Sequence, residues 1–144
     1  MYEDQLARVP LFAGLNRSEL SRMAGVCRWL EYQPATPLVW QGTPGAAFFI
    51  IESGKVRILQ QRQDGDVREL AVLGPGDTFG EMALLDEMPR SATALAIELT
   101  SALALPVWEF RAILKEEPDI TLKLLAVLSA RLRSHAQQTP SFFM

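Results

Sequence analysis

The spacing of hydrophobic and polar positions changes period twice along the chain. Asn16 followed by Glu19, at capping-box spacing, opens a helix over Arg17 to Gly25 in which Leu20, Met23 and Ala24 share one face. A shorter helix precedes it and ends near Pro10. From Val26 to about Leu105 the pattern becomes short apolar or alternating runs, broken by turn signals at 42–45, Ser53-Gly54, Asp64-Gly65 and 74–77. Strands at roughly ten-residue spacing predict a sandwich or closed barrel rather than an α/β sheet. In this reading Phe48 to Ile51 pairs with Lys55 to Leu59 across Ser53-Gly54, with Val56 and Ile58 on the buried face. Asp64-Gly65 then turns the chain into Val67 to Leu73 as a tight hairpin. Past Pro106 the helical period returns, first over Val107 to Lys115 and then, beyond Pro118, over Asp119 to about Gln138. The predicted fold is mainly β with flanking helices.

The last helix carries an unusually wide apolar stripe. Ile120, Leu124, Leu125, Val127, Leu128 and Leu132 spread over about 160° of its circumference, and Leu122 falls outside even that. A helix packed on one surface needs less. Two covers remain open at this point: a partner chain, or the neighbouring helix Val107 to Lys115.

Composition narrows the function. The 144 residues fit a single domain, with a helical segment over 1–25, a β-barrel over 26–105 and C-terminal helices over 106–138. At 49% hydrophobic and 22% charged residues the chain can build a core without cross-links. A net charge of −3 provides no positive field for nucleic acid or anionic lipid. One cysteine, Cys27, and one histidine, His135, exclude a disulfide framework, a Cys/His zinc site, a cysteine-ligated iron–sulfur cluster and a multi-histidine metal centre, so no metal is expected. Cys27, on the first strand, reads as a small buried hydrophobe, and His135 as a solvated helix residue. The start Met1-Tyr2-Glu3-Asp4 lacks a basic, then apolar, leader, and Glu98, Thr100 and Ser101 interrupt the most apolar segment, Ala92 to Pro106. The expectation is a cytoplasmic chain with no membrane partner.

No catalytic residue is indicated. Gly74-Pro75-Gly76-Asp77-Thr78-Phe79-Gly80 has the spacing GxGxxxG, neither a dinucleotide turn nor a P-loop, and no Ser or Cys sits in a nucleophile motif. The segment that stands out is Phe79 to Thr93. It breaks the strand pattern with about one helical turn, Glu81 to Leu85, whose first amides can face an anion. Spacing alone also permits a plain structural role, in which Glu81 forms a capping box with Thr78 and Arg90 pairs with Glu81 or Asp86.

The run Phe79-Gly80-Glu81-Met82-Ala83-Leu84-Leu85 and, four residues on, Arg90-Ser91-Ala92-Thr93 resembles the phosphate-binding cassette of cyclic-nucleotide-binding domains. Val9-Pro10-Leu11-Phe12 with Leu15 and Leu20, Gln41-Gly42, Phe48 to Ile51, Ser53 to Val56 and Pro75-Gly76-Asp77 also follow that family's order and spacing, so the resemblance covers about residues 6 to 135. It implies a jelly-roll β-barrel, with Arg90 on the cyclic phosphate, helped by the amides of Ala83 and Leu84 and by Ser91 and Ala92 on the following strand. Glu81 would accept from the ribose 2′-hydroxyl, Gly80 would let the backbone approach the sugar, and Met82 lies within the same binding turn. Ser91 stands where relatives carry Ala or Thr, which implies cyclic AMP over cyclic GMP with modest discrimination. The base would rest against barrel side chains under the C-terminal helix, where Ser129, Arg131, Leu132 and His135 are capping candidates by position.

The family's transcription factors carry a helix-turn-helix after the long helix, whereas only 136–144 remain here after His135, so this chain is not expected to bind DNA directly. The expected function is a non-enzymatic sensor of a cyclic mononucleotide that moves its C-terminal helix and forms a homodimer through it. The alternative is a degenerate member that binds no nucleotide and serves as a dimerisation or docking module.

Overall fold

The computed structural model describes residues 1–86 and 88–138, which form two compact units, 1–25 with the chain from 112 onward, and 26–111. In the helical unit, α1 (Glu3–Ala7) ends before Pro10, which opens a 3-10 turn, Pro10–Phe12, at a position where a missing N–H costs nothing. Asn16 caps α2 (Arg17–Ala24) with both bonds of the capping box: its side chain accepts from the Glu19 N–H, and the Glu19 carboxylate accepts from the Asn16 N–H, each at 2.9 Å. That carboxylate also takes the Lys123 ammonium at 2.6 Å, tying α2 to α4 (Pro118–Gln138). Leu6, Leu11, Phe12, Leu20, Met23, Ile113, Ile120 and Leu124 are among its buried side chains.

The other unit holds eight strands, β1 (Arg28–Tyr32), β2 (Pro37–Val39), β3 (Ala47–Ser53), β4 (Val56–Gln61), β5 (Val67–Leu73), β6 (Thr78–Phe79), β7 (Thr93–Ala96) and β8 (Thr100–Pro106). They form two antiparallel sheets, ordered β1-β8-β3-β6 and β2-β7-β4-β5. Ile51 of the first sheet packs with Val56 and Ala94 of the second, so the core of this unit lies between the sheets. Phe49 and Phe79 stack within it at 4.8 Å between ring centres. The helix α3 (Val107–Glu116) starts here and runs on into the helical unit. The fold is therefore β-rich with N- and C-terminal helices, as the periodicity predicts.

One predicted pairing is overturned. β3 does not pair with β4 across Ser53-Gly54; it lies between β8 and β6, with Phe49 opposite both Ala104 and Phe79, while β4 pairs with β5 and β7. The reason is in the burial of β3: Phe48, Phe49, Ile50 and Ile51 are all buried, so both faces of this strand are covered and it takes an interior place in its sheet. Ser53-Gly54 is instead the corner where the chain changes sheets. Gly54, at φ +94°, leaves no room for a Cβ, which would lie 2.5 Å from the Leu99 carbonyl. The Asp64-Gly65 hairpin forms as expected, with the Arg62 N–H donating to the Asp66 carbonyl at 2.8 Å.

Cys27 precedes β1 by one residue instead of lying on it, and is half-buried; burial pushes its thiol up to about 12. On α4 the stripe divides. Ile120 and Leu124 are buried by the chain itself, Val127 and Leu128 are half-buried, and Leu122, Leu125 and Leu132 are exposed. No helix among the described residues is long and apolar enough to cross a membrane.

Candidate ligand site

The site is built where β6 ends. Gly80 follows Phe79 at φ +85° and starts a 3-10 turn, Glu81–Leu84. The Ala83 N–H donates to the Gly80 carbonyl at 3.1 Å, and the N–H groups of Leu85 and Asp86 share the Met82 carbonyl at 3.0 Å each. This corrects one expectation and removes one alternative. Gly80, not Thr78, holds the cap position, with no side-chain bond capping it, and the Ala83 amide is occupied within the turn rather than free for an anion.

Beside the turn lies a cavity of about 720 Å³, within the range of small-molecule sites. Gly80, Glu81, Met82 and Ala83 line it, as do Arg90, Ser91 and Ala92. Leu84 is buried and is not among the lining residues. Ser91 and Ala92 lie ahead of β7, not on it, and the Ser91 carbonyl accepts from Gln60 Nε2 at 3.1 Å. Ser129, Arg131, Leu132 and His135 are positions on α4 in the helical unit, while every lining residue belongs to the barrel unit.

Arg90 is a buried charged side chain, at 9% exposed. Its backbone is fastened to the loop after β2 by the Arg90 N–H on the Thr43 carbonyl and the Gly42 N–H on the Arg90 carbonyl, each 2.8 Å. Its Nη2 donates to the Ala47 carbonyl, whereas Nε is buried with no hydrogen-bond partner among the described residues. Burial pulls the Arg90 pKa down from the ordinary arginine value, because desolvation penalises the charge. Two glycines make space for this arrangement. A Cβ at Gly80 would stand 3.0 Å from Arg90 Cζ and 3.1 Å from the Ala47 carbonyl, and one at Gly45 would stand 2.5 Å from Ala83 Cβ.

The barrel side chains expected to take the base are not marked individually in the sequence. Val39, Ile58, Leu73 and Ala94 supply an apolar wall from β2, β4, β5 and β7. The alternation that put Ile58 on the buried face was the one available signal, and it marks core and pocket alike. Thr78 and Phe79 of β6, with Asp86, Met88 and Pro89, complete the lining. A buried cation, a carboxylate at Glu81 and an apolar wall suit a compact anion carrying hydroxyl and apolar parts.

The comparisons with known proteins point the same way. A family model for the cyclic nucleotide-binding domain matches residues 29–117. The chain is 41% identical over 124 residues to the cyclic AMP receptor protein of Thermus thermophilus, covering 86% of this chain and 57% of that protein. It is 34% identical over 139 residues to the cAMP-dependent protein kinase regulatory subunit of Mycosarcoma maydis, covering 96% of this chain and 25% of that one. The solved N-terminal domain of a transcriptional regulator from Streptomyces coelicolor matches with a TM-score of 0.84 at 30% identity, over 93% of this chain and 96% of that chain. The chain thus spans little more than half the length of the receptor protein and a quarter of the kinase subunit.

Proposed function

Because the chain belongs to the cyclic nucleotide-binding domain family, we propose that it is a regulatory sensor whose cavity takes a cyclic mononucleotide, cyclic AMP in preference to cyclic GMP. The observation that carries this reading is Arg90. A guanidinium held in a cavity with one nitrogen buried and unpartnered is a desolvated charge, and an anionic ligand removes that cost by pairing with it. A cyclic phosphate supplies the anion, Glu81 the acceptor for a ribose hydroxyl, and Val39, Ile58, Leu73 and Ala94 an apolar rest for the base. Ser91 offers a hydroxyl that also serves the phosphate, so it reads a guanine amino group poorly and favours the smaller discrimination implied for cyclic AMP.

The domain acts by binding rather than by catalysis. Ligand occupancy is coupled to α4, whose exposed Leu125 and Leu132 and half-buried Leu128 serve a homodimer contact. Leu124, named with them from the stripe, is buried in its own chain and is not available for that contact.

A thermal shift series tests the reading. Cyclic AMP, and less strongly cyclic GMP, raise the melting temperature, whereas 5′-AMP and cyclic di-GMP do little. At about a hundredfold the Kd a ligand adds ~2.7 kcal/mol, which is several degrees for a domain of this size. Arg90→Leu cuts the shift to about a third or less by weakening binding at least about thirtyfold, or ~2 kcal/mol. No shift at millimolar ligand, in protein shown to be free of nucleotide, overturns the proposal.

A further inference from the structure

The far end of the Glu81–Leu84 turn is held from a helix. Arg111, on α3, donates through Nη2 to the Asp86 carbonyl at 2.9 Å and directs Nε at the Leu84 carbonyl at 3.5 Å. Its guanidinium also lies 5.8 Å from the ring centre of Trp108, one turn back on the same helix. The last carbonyls of a helical turn have no partner within it, and here the Met82 carbonyl is already shared by two amides. A cation with a forked set of donors satisfies such carbonyls and opposes the negative end of the turn.

We propose that Arg111 is a positioning residue for the ligand site: it clamps the end of the turn, sets ligand affinity through it, and links the turn to α3. The chain of contact is short. Asp86 lines the cavity, its carbonyl is held by Arg111, and Arg111 is the last residue of the barrel unit before α3 continues through Ala112 into the helical unit. Arg111 does not line the cavity and reaches a ligand only through the main chain of the turn. A displacement of Asp86 by a bound ligand therefore acts on the guanidinium, and through it on the first turns of α3 and on Trp108. Lysine is not an equivalent at this position, because an ammonium is a point donor and cannot span two carbonyls with the geometry of a guanidinium.

This inference rests on the cyclic-nucleotide reading for its ligand, so the test has an arm that needs none. In ligand-free protein, Arg111→Met speeds hydrogen exchange at the amides of residues 82–86 and leaves that of the β4–β5 hairpin unchanged. With cyclic AMP, calorimetry shows affinity lowered about tenfold in Arg111→Met and by less in Arg111→Lys, the loss expected for one charge-assisted hydrogen bond. In a Trp29→Phe, Trp40→Phe background, cyclic AMP changes the emission of Trp108, and Arg111→Met abolishes that change. Circular dichroism checks folding, and Arg111→Lys carries the test if the methionine variant does not fold. Unchanged exchange in residues 82–86 overturns the clamp, and affinity within twofold of wild type overturns its role in binding. If the wild type binds no cyclic nucleotide but exchange rises as expected, the functional reading fails while the clamp stands.

Discussion

Replacing Gly80 with alanine adds one carbon at the point where the turn, the buried cation and β3 meet. Two costs follow from the geometry. An L-residue at φ +85° costs about 1–2 kcal/mol in backbone strain. The added Cβ also stands 3.0 Å from Arg90 Cζ, and nearer still to its Nη1, with the Ala47 carbonyl 3.1 Å away. The carbonyl belongs to a paired strand and cannot retreat, so the guanidinium must. It then loses its bond to that same carbonyl, a charge-assisted contact worth about 1.5–3 kcal/mol. The cavity lets the displaced cation regain water, which places the total near the lower end, at about 2.5 kcal/mol. Urea unfolding of Gly80→Ala should show that loss, and calorimetry should show cyclic AMP affinity falling about as far as in Arg90→Leu, at least about thirtyfold. The decisive measurement is the double variant. In the Arg90→Leu background the guanidinium is absent, so Gly80→Ala should cost only the backbone strain, and the two stability effects should differ from additivity by at least about 1 kcal/mol. Additive losses would show that Gly80 is needed for its torsion alone, and the argument from the Arg90 contact would be wrong.

Glu81→Ala and the 2′-deoxy analogue of cyclic AMP should each weaken binding, and the two losses measured together by calorimetry should not add, because each removes the same hydrogen bond. Glu19 carries an acid-dependent tie. The Lys123 ammonium, then the Asn16 N–H, holds its carboxyl below the ordinary value of 4.5, so its contribution is complete above that pH and is lost as pH falls through the lower folded value. The urea stability of Glu19→Gln should therefore trail the wild type by a constant amount above pH 4.5 and converge with it on acidification. For the proposed assembly, light scattering at tens of micromolar should give a dimer for the wild type and a folded monomer for Leu128→Asp. A monomeric wild type that still binds ligand would withdraw the dimer and leave the nucleotide reading in place.

Elements whose signals are local were legible. The capping box at Asn16 and Glu19, the Asp64-Gly65 turn, and the helices bounded by Pro106 and Pro118 each depend on residues within a few positions, and the structure contains all of them. The placing of β3 was not legible in the same way. Phe48 to Ile51 is equally suited to a hairpin or to an interior strand, and what decides is a partner, β8, far along the chain. The turn residues Gly80 to Ala83 and Arg90 to Ala92 stood out because they interrupt a strand pattern, and they line one cavity. Val39, Ile58, Leu73 and Ala94 did not, since an apolar residue facing a pocket looks in sequence like one facing the core. Arg111 was also silent, because main-chain carbonyls as acceptors leave no trace in the sequence.

The corner at Ser53-Gly54 bears on how the protein is made. By sending β3 and β4 into different sheets, it leaves the first sheet without a local partner for its most apolar strand. The β4–β5 hairpin can close as soon as residues 56–73 leave the ribosome. β3, and β1 as well, must wait for β8, with Arg28 finding Ala104 and Phe49 finding the same residue. Until β8 is made, Phe48 to Ile51 therefore has no antiparallel neighbour beyond the brief β6. A growing chain in that condition exposes an adhesive segment for seconds, at elongation rates of about 5–20 residues per second. Folding dominated by such distant pairings is also slow once synthesis is complete.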